Sequence, residues 1–246
     1  MQVPFVAHNR YFDPRSNYTN WFYFNVQSNM SLPLTQSFWD FLFNQSINDW
    51  KLQVYEQDWL YTQLNNLALL QQSSTAGRSW LKQMANAAQK FGITVQYCMP
   101  YTRHVMQSVE CPAITQVRVS NDNVPGSTGL EQWKIGETSI VAFNLGLAPY
   151  KDGFLTRVTE KGCKFNKPNI PKLQTYVAAL SGGPVGPGDV INDTNRELIM
   201  KTCRVDGLLL KPGVPAMSID LQMMEKAISV GGPQGEVKHI LYNYLL

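Results

Sequence analysis

A chain of 246 residues with 44% hydrophobic side chains holds one large domain or two small ones around a sizeable core. Charged residues make up only 16%, below the roughly 25% of typical soluble domains, which excludes a disordered chain. A net charge of +3 gives no electrostatic case for nucleic acid, and no apolar run approaches the about eighteen residues of a membrane span.

The first stretch, residues 3–8, reads as a strand. Residues 35–47 read as a helix carrying Phe38, Phe41, Leu42 and Phe43, and residues 52–55 as the next strand, leading to Glu56-Gln-Asp58-Trp59. The clearest helix is 80–91, where Trp80, Met84, Ala87, Ala88 and Phe91 share one face and Gly92 follows as a stop signal. Strands at 93–99 and 114–120, a helix over 133–145, a strand at 154–157, a helix over 170–179 and a strand at 180–185 come next. Thr194 and Glu197 have the spacing of a capping box for a helix running towards Arg204. Beyond Lys211-Pro212 the alternation stops, and 239–246 reads as a strand of a different body.

Strand and helix alternating in this order predict a parallel sheet with covering helices. A doubly wound sheet would place a Gly-rich phosphate loop after its first strand, and none is there. The expected fold is therefore an α/β, (β/α)8 TIM-type barrel, incomplete, with strand ends near residues 8, 58, 98, 120, 156 and 185. Six βα units where eight are needed lead to the expectation that more of the barrel precedes this chain. Residues 1–212 form the partial barrel in this reading, and 213–246 begin a C-terminal β-rich domain.

Cys98, Cys111, Cys163 and Cys203 lack zinc-ligand spacing and read as buried thiols or ordinary disulfides. His8, His104 and His239 form no HxxxH or HExxH pattern, so no metal centre is expected. Sequons at Asn17, Asn29, Asn44 and Asn192 lean towards an extracellular or secretory-pathway location, although the first residues do not form a signal peptide.

In a barrel of this kind chemistry sits at the carboxyl ends of strands. The polar residues there are His8, Asn9 and Arg10; Tyr55, Glu56, Asp58 and Trp59; Tyr97 and Cys98; Arg118, Asn121 and Asp122; Lys151 and Asp152; and Asp189. Carboxylates recur among them with Arg, Lys and aromatic rings, which suits two-carboxylate glycoside cleavage of a neutral substrate, a reaction that needs no cofactor. Each has a plainer reading. An Asp after a strand often caps the next helix, Trp59 and Trp133 are more readily core or interface than sugar platforms, a lone His is commonly a hydrogen-bonded structural residue, and the Gly182–Gly188 stretch, interrupted by Pro184 and Pro187, shapes a tight loop more readily than a phosphate cradle.

Gly92-Ile-Thr-Val-Gln-Tyr-Cys-Met99, followed by Ile114-Thr-Gln-Val-Arg-Val-Ser-Asn-Asp122, resembles the raffinose-synthase and α-galactosidase clan of glycoside hydrolases. The resemblance covers about residues 3–215 and is specific in four patches. It is closer still to uncharacterised animal members carrying segments like Gly183–Asp189 and Cys203–Pro212. It implies a retaining hydrolase or transglycosidase acting on α-linked, galactoside-like oligosaccharides or glycosides, with Asp58 as nucleophile and Asp122 as acid/base. Arg118 would orient Asp122, and Lys151, Asp152, Asp189, Tyr55 and Trp59 would bind substrate. The proton donor should be the more apolar carboxyl of the pair. Two positions depart from the pattern. Glu56 stands where the clan has Lys, adding a negative charge expected to raise the pKa of Asp58. Tyr150-Lys151 replaces Asp-Trp, so the clan's sugar selectivity does not carry over to this chain. The alternative is a non-catalytic carbohydrate-binding or structural protein built on the same barrel, with no nucleic-acid or membrane partner in either case.

Overall fold

The computed structural model describes residues 5–27, 29–124, 135–158, 169–228 and 241–242. The chain forms two compact units, one of Met1–Arg118 with Leu145–Leu147, the other of Val119–Asn144 with Ala148–Leu246.

In chain order the first unit carries β1 (Phe5–Asn9), α1 (Tyr18–Trp21), β2 (Phe24–Val26), β3 (Ser31–Pro33), α2 (Gln36–Trp50), β4 (Leu52–Gln57), α3 (Leu60–Asn66), α4 (Ala68–Gln72), α5 (Ala76–Phe91), β5 (Thr94–Tyr97), α6 (Thr102–Gln107) and β6 (Ile114–Arg118). Strands β1, β4, β5 and β6 pair in parallel in that order, while β2 and β3 form a separate antiparallel pair. These parallel strands end within two residues of the first four predicted ends.

Periodicity explains the two long helices. On α5, Trp80, Leu81, Met84, Ala85, Ala87 and Ala88 are buried along one stripe. Gly92, at φ 68°, then ends it: its amide bonds Gln89 and the Ile93 amide bonds Ala88 at 2.9 Å, a Schellman closure that passes directly into β5. On α2, Phe38, Trp39 and Phe43 are fully buried while Phe41 is exposed. Phe38 meets Phe12 and Phe24 edge-on, each at 4.9 Å, and Phe43 packs on Tyr55 of β4 at 5.1 Å. Helices α1, α3, α4 and α6 were not predicted, and α5 starts four residues earlier than predicted. Gly77 and Ser79 weaken helix propensity in its first turn, and packing overrides it.

Helix α6 is held by a buried histidine. The Tyr101 amide donates to His104 Nδ1 at 2.9 Å, so that nitrogen is an acceptor and the ring is neutral. Burial, aided by Arg103, pushes its pKa down to about 4. An unfolded His titrates near 6.5, so the unfolded state binds the extra proton first as pH falls. His104 therefore subtracts stability progressively from about pH 6.5 down to pH 4 and nothing further below. Denaturant melts of His104→Gln against the parent across pH 7 to 4 should show the parent losing the larger share; parallel losses would refute this.

The second unit contains α7 (Ile135–Asn144), β7 (Ala148–Tyr150), α8 (Pro171–Leu180), α9 (Arg196–Met200), β8 (Met217–Ser218), α10 (Asp220–Ile228) and β9 (Leu241–Tyr242). Two strand assignments are corrected here. The strand expected at 154–157 is Ala148–Tyr150, with Phe154 making only an isolated bridge to Pro187. The strand expected at 180–185 is absent: α8 runs to Leu180, and a Gly-Pro loop follows it. Backbone bonds Gly183→Pro149 (2.7 Å), Phe154→Gly186 (3.1 Å) and Gly188→Phe154 (2.8 Å) lay that loop along residues 149–154. Helix α9 is capped by Asn195, whose side chain accepts from the Leu198 amide at 3.1 Å, one residue past the expected Thr194. β8 and β9 pair antiparallel, and α10 lies between them in the segment expected to begin a β-rich domain. The helix expected to begin at 133 is described from Ile135 onward, and most of the expected strand at 239–246 lies outside the described residues.

Candidate active site

Successive strand side chains alternate between faces, so register decides which residues can meet. His8 pairs with Glu56, Glu56 with Gln96 and Gln96 with Gln116, forming one polar row across β1, β4, β5 and β6. One step towards the carboxyl ends, on the same face, come Asp58, Cys98 and Arg118, all buried.

Asp58 is enclosed on several sides. Its amide donates to the Asn9 carbonyl at 2.8 Å. Its Oδ2 lies 2.9 Å from His8 Nε2, its Oδ1 accepts from the Trp59 amide at 2.6 Å, and the Cys98 thiol donates to it as well. Burial pushes its pKa up, yet Cys98, His8 and the Trp59 amide outweigh burial and leave it below the usual carboxylate value. The expectation that Glu56 raises this pKa is thereby corrected: the hydrogen-bond donors decide it. The Cys98 thiol moves the other way. Burial dominates, Arg118 opposes, and Asp58 and Glu56 add to the rise, so the sulfur keeps its proton for Asp58. Cys98, Cys111 and Cys203 are free, while Cys163 lies outside the described residues.

Backbone strain marks the same edge. Trp59 and Met99, each just past a strand, adopt φ 56° and 48°, a region that bulky residues seldom enter. The Tyr61 amide ties the two together through the Met99 carbonyl at 3.0 Å. The Trp59 ring is half-buried, with the Arg10 guanidinium 4.6 Å above it and Tyr11 at 5.7 Å.

Tyr55 does not belong to this face. It is 4% exposed against Trp39 and Phe43, and Asn9 donates to its hydroxyl at 3.0 Å. The substrate-binding role expected for it is corrected to a packing role, because its odd position turns it towards α2.

In the second unit Asp122 is exposed. The expectation that the acid/base would be the more enclosed carboxyl is therefore reversed, since Asp58 is 7% exposed. Asp152 accepts from the Asn123 amide at 2.6 Å, and its own amide donates to Ser120 Oγ at 2.9 Å, which fixes it beside the segment bearing Asp122. Lys151 is 3% exposed, with its ammonium donating to the Asp152 carbonyl at 3.1 Å and lying 5.6 Å from the Phe154 ring. Asp189 spends both oxygens on Thr156, one on its amide (2.6 Å) and one on its hydroxyl (2.8 Å). The substrate-binding role expected for Asp189 gives way to that of a loop clasp. Sequence reasoning placed His8 and Cys98 at strand ends without joining them to Asp58; their shared face was the signal. Nothing in the sequence marked Thr156, Ser120 or Asn123. Among the described residues no three His, Cys, Asp or Glu side chains converge to hold a metal, and no helix is long and apolar enough to cross a membrane.

Neither a family model nor a curated protein matches the sequence. Among solved structures, the chain is similar to the crystal structure of a GH27 β-L-arabinopyranosidase from Geobacillus stearothermophilus, at 13% identity and a TM-score of 0.57. The likeness is one of fold. It covers 88% of this chain and 56% of that one, so the chain spans little more than half the length of its structural neighbour. The parallel sheet and this likeness are consistent with a partial TIM-like barrel.

Proposed function

We propose that this protein is a retaining glycoside hydrolase of the α-galactosidase-like clan. The observation that carries the reading is Asp58: an ionised, buried carboxylate at a strand's carboxyl end, fixed by three donors, in a fold similar to a GH27 glycosidase. Asp58 attacks the anomeric carbon and displaces the leaving oxygen, which takes a proton from Asp122. Water, deprotonated by Asp122, then releases the sugar from Asp58, and no cofactor enters. Arg118, Asp152 and Lys151 set the charge around the sugar, and the half-buried Trp59 ring offers a face for stacking.

The substrate class is a neutral glycoside with galactose-like ring stereochemistry. β-L-Arabinopyranose has the ring configuration of α-D-galactose without the exocyclic hydroxymethyl group, so the motif resemblance and the fold neighbour point to one stereochemical series. The motifs, more than the fold, support a raffinose-synthase-like or animal-type member of the clan. The test is release of nitrophenol from aryl α-D-galactoside and aryl β-L-arabinopyranoside. Turnover of either supports the hydrolase, whereas calorimetric binding of the free sugar without turnover supports the carbohydrate-binding alternative.

We also propose an extracellular location. Asn17, Asn29, Asn44 and Asn192 are all exposed, as sequon acceptors must be. Expression in a secretory host should place glycan on at least one, read by mass spectrometry after glycosidase treatment. Four bare sites on secreted protein would count against it.

A further inference from the structure

We infer that His8 is the positioning residue of the Asp58 carboxylate, donating its Nε2–H to Oδ2 and thereby fixing both the rotamer and the charge of the nucleophile. The inference rests on the hydrolase reading above.

An ionised carboxylate only accepts hydrogen bonds, so the 2.9 Å contact requires the proton on Nε2 of the imidazole. Of the three donors to Asp58, the Trp59 amide and the Cys98 thiol carry no charge and keep their protons. His8 reaches Asp58 from the neighbouring strand, and its side chain is 45% exposed. The ionisable groups on the same face of the sheet are Glu56, in register with His8 on β4, Cys98 past β5 and Arg118 ending β6, while Arg10 follows β1. Arg10 is engaged with the Trp59 ring, and Glu56 acts electrostatically on the Cys98 thiol. His8 is thus the side chain that holds Oδ2 in place from the neighbouring strand.

Three variants separate this from a packing role. His8→Leu removes the donor and should lower kcat/KM for an aryl glycoside about a hundredfold, as expected for a misplaced reacting group. His8→Gln restores a neutral N–H donor and should recover most of that loss. Nitrogen-15 NMR supplies a readout independent of turnover: the His8 proton sits on Nε2 in the parent, and Asp58→Asn abolishes that tautomer preference. If the parent hydrolyses the glycoside while His8→Leu matches it in rate, the inference is overturned and the hydrolase stands. The same holds if the proton sits on Nδ1. If the parent hydrolyses no aryl glycoside with Nε2 protonated, the hydrolase reading fails and the inference falls with it.

Discussion

Asp58→Asn reduces turnover of an activated aryl glycoside about 10^4-fold or more, because no other group among its contacts replaces the lost nucleophile. The amide keeps the shape of the carboxylate and can still accept from the Trp59 amide, so folding is largely preserved. Asp122→Asn behaves differently. A good leaving group needs little protonation, so the loss on such a substrate is smaller and grows as the leaving group becomes more basic, towards the 10^2–10^4-fold typical of general acid catalysis. Rates on a series of aryl glycosides with leaving-group pKa from about 4 to 10 measure both effects. An unchanged rate in Asp58→Asn would end the mechanism, and a loss in Asp122→Asn that ignores the leaving group would remove Asp122 from its role.

Gly183→Ala destabilises the second unit by about 3 kcal/mol, the upper end of the usual cost of overpacking. A Cβ at this position would stand 2.6 Å from the Tyr150 Cβ and 2.8 Å from the Pro149 carbonyl oxygen, and both are too rigidly placed to give way. The bond from its own amide to Pro149, at 2.7 Å, lies at the same point and is lost if the loop retreats. Gly186→Ala is the control in the same loop: its φ is unstrained and nothing lies within 4 Å of the added carbon. Its effect stays within about 0.5 kcal/mol. Urea unfolding of both variants decides the matter, and equal midpoints would show that the loop is not packed as described.

The contrast between legible and illegible segments has physical causes. Strands β1, β4, β5 and β6 could be read because each is a short apolar run ended by polar residues, and α2 and α5 because their buried stripes repeat at helical spacing. β7 was misplaced because Pro149 sits within it and lowers its strand signal, while Phe154 and Leu155 imitate a strand from a buried turn. Residues 180–185 misled in the same way: an apolar run before Gly and Pro turned out to be a helix end and a loop laid against 149–154. At the candidate site, residue type alone found Asp58, Cys98 and Arg118. Parity would have removed Tyr55 and joined His8 to Asp58, since even-numbered residues of β1 and β4 share a face. Asp189 and Thr156 are 33 residues apart, and no local pattern foretells such a clasp.

The two edges of the first unit's parallel sheet differ in how much length change they can absorb. At the amino ends of β4 and β5 the entering connections have almost no slack: only Lys51 separates α2 from β4, and only Gly92 and Ile93 separate α5 from β5. One residue added to either helix would turn its last side chains by about 100°, swinging the buried stripe off the sheet. At the opposite edge, eight residues follow β1 before α1, and four lie between β5 and α6. Only Asp58 and Trp59 lie between β4 and α3, so length change is taken up in the loops after β1 and β5, while the stretch bearing Asp58 stays as fixed in length as the chassis beneath it.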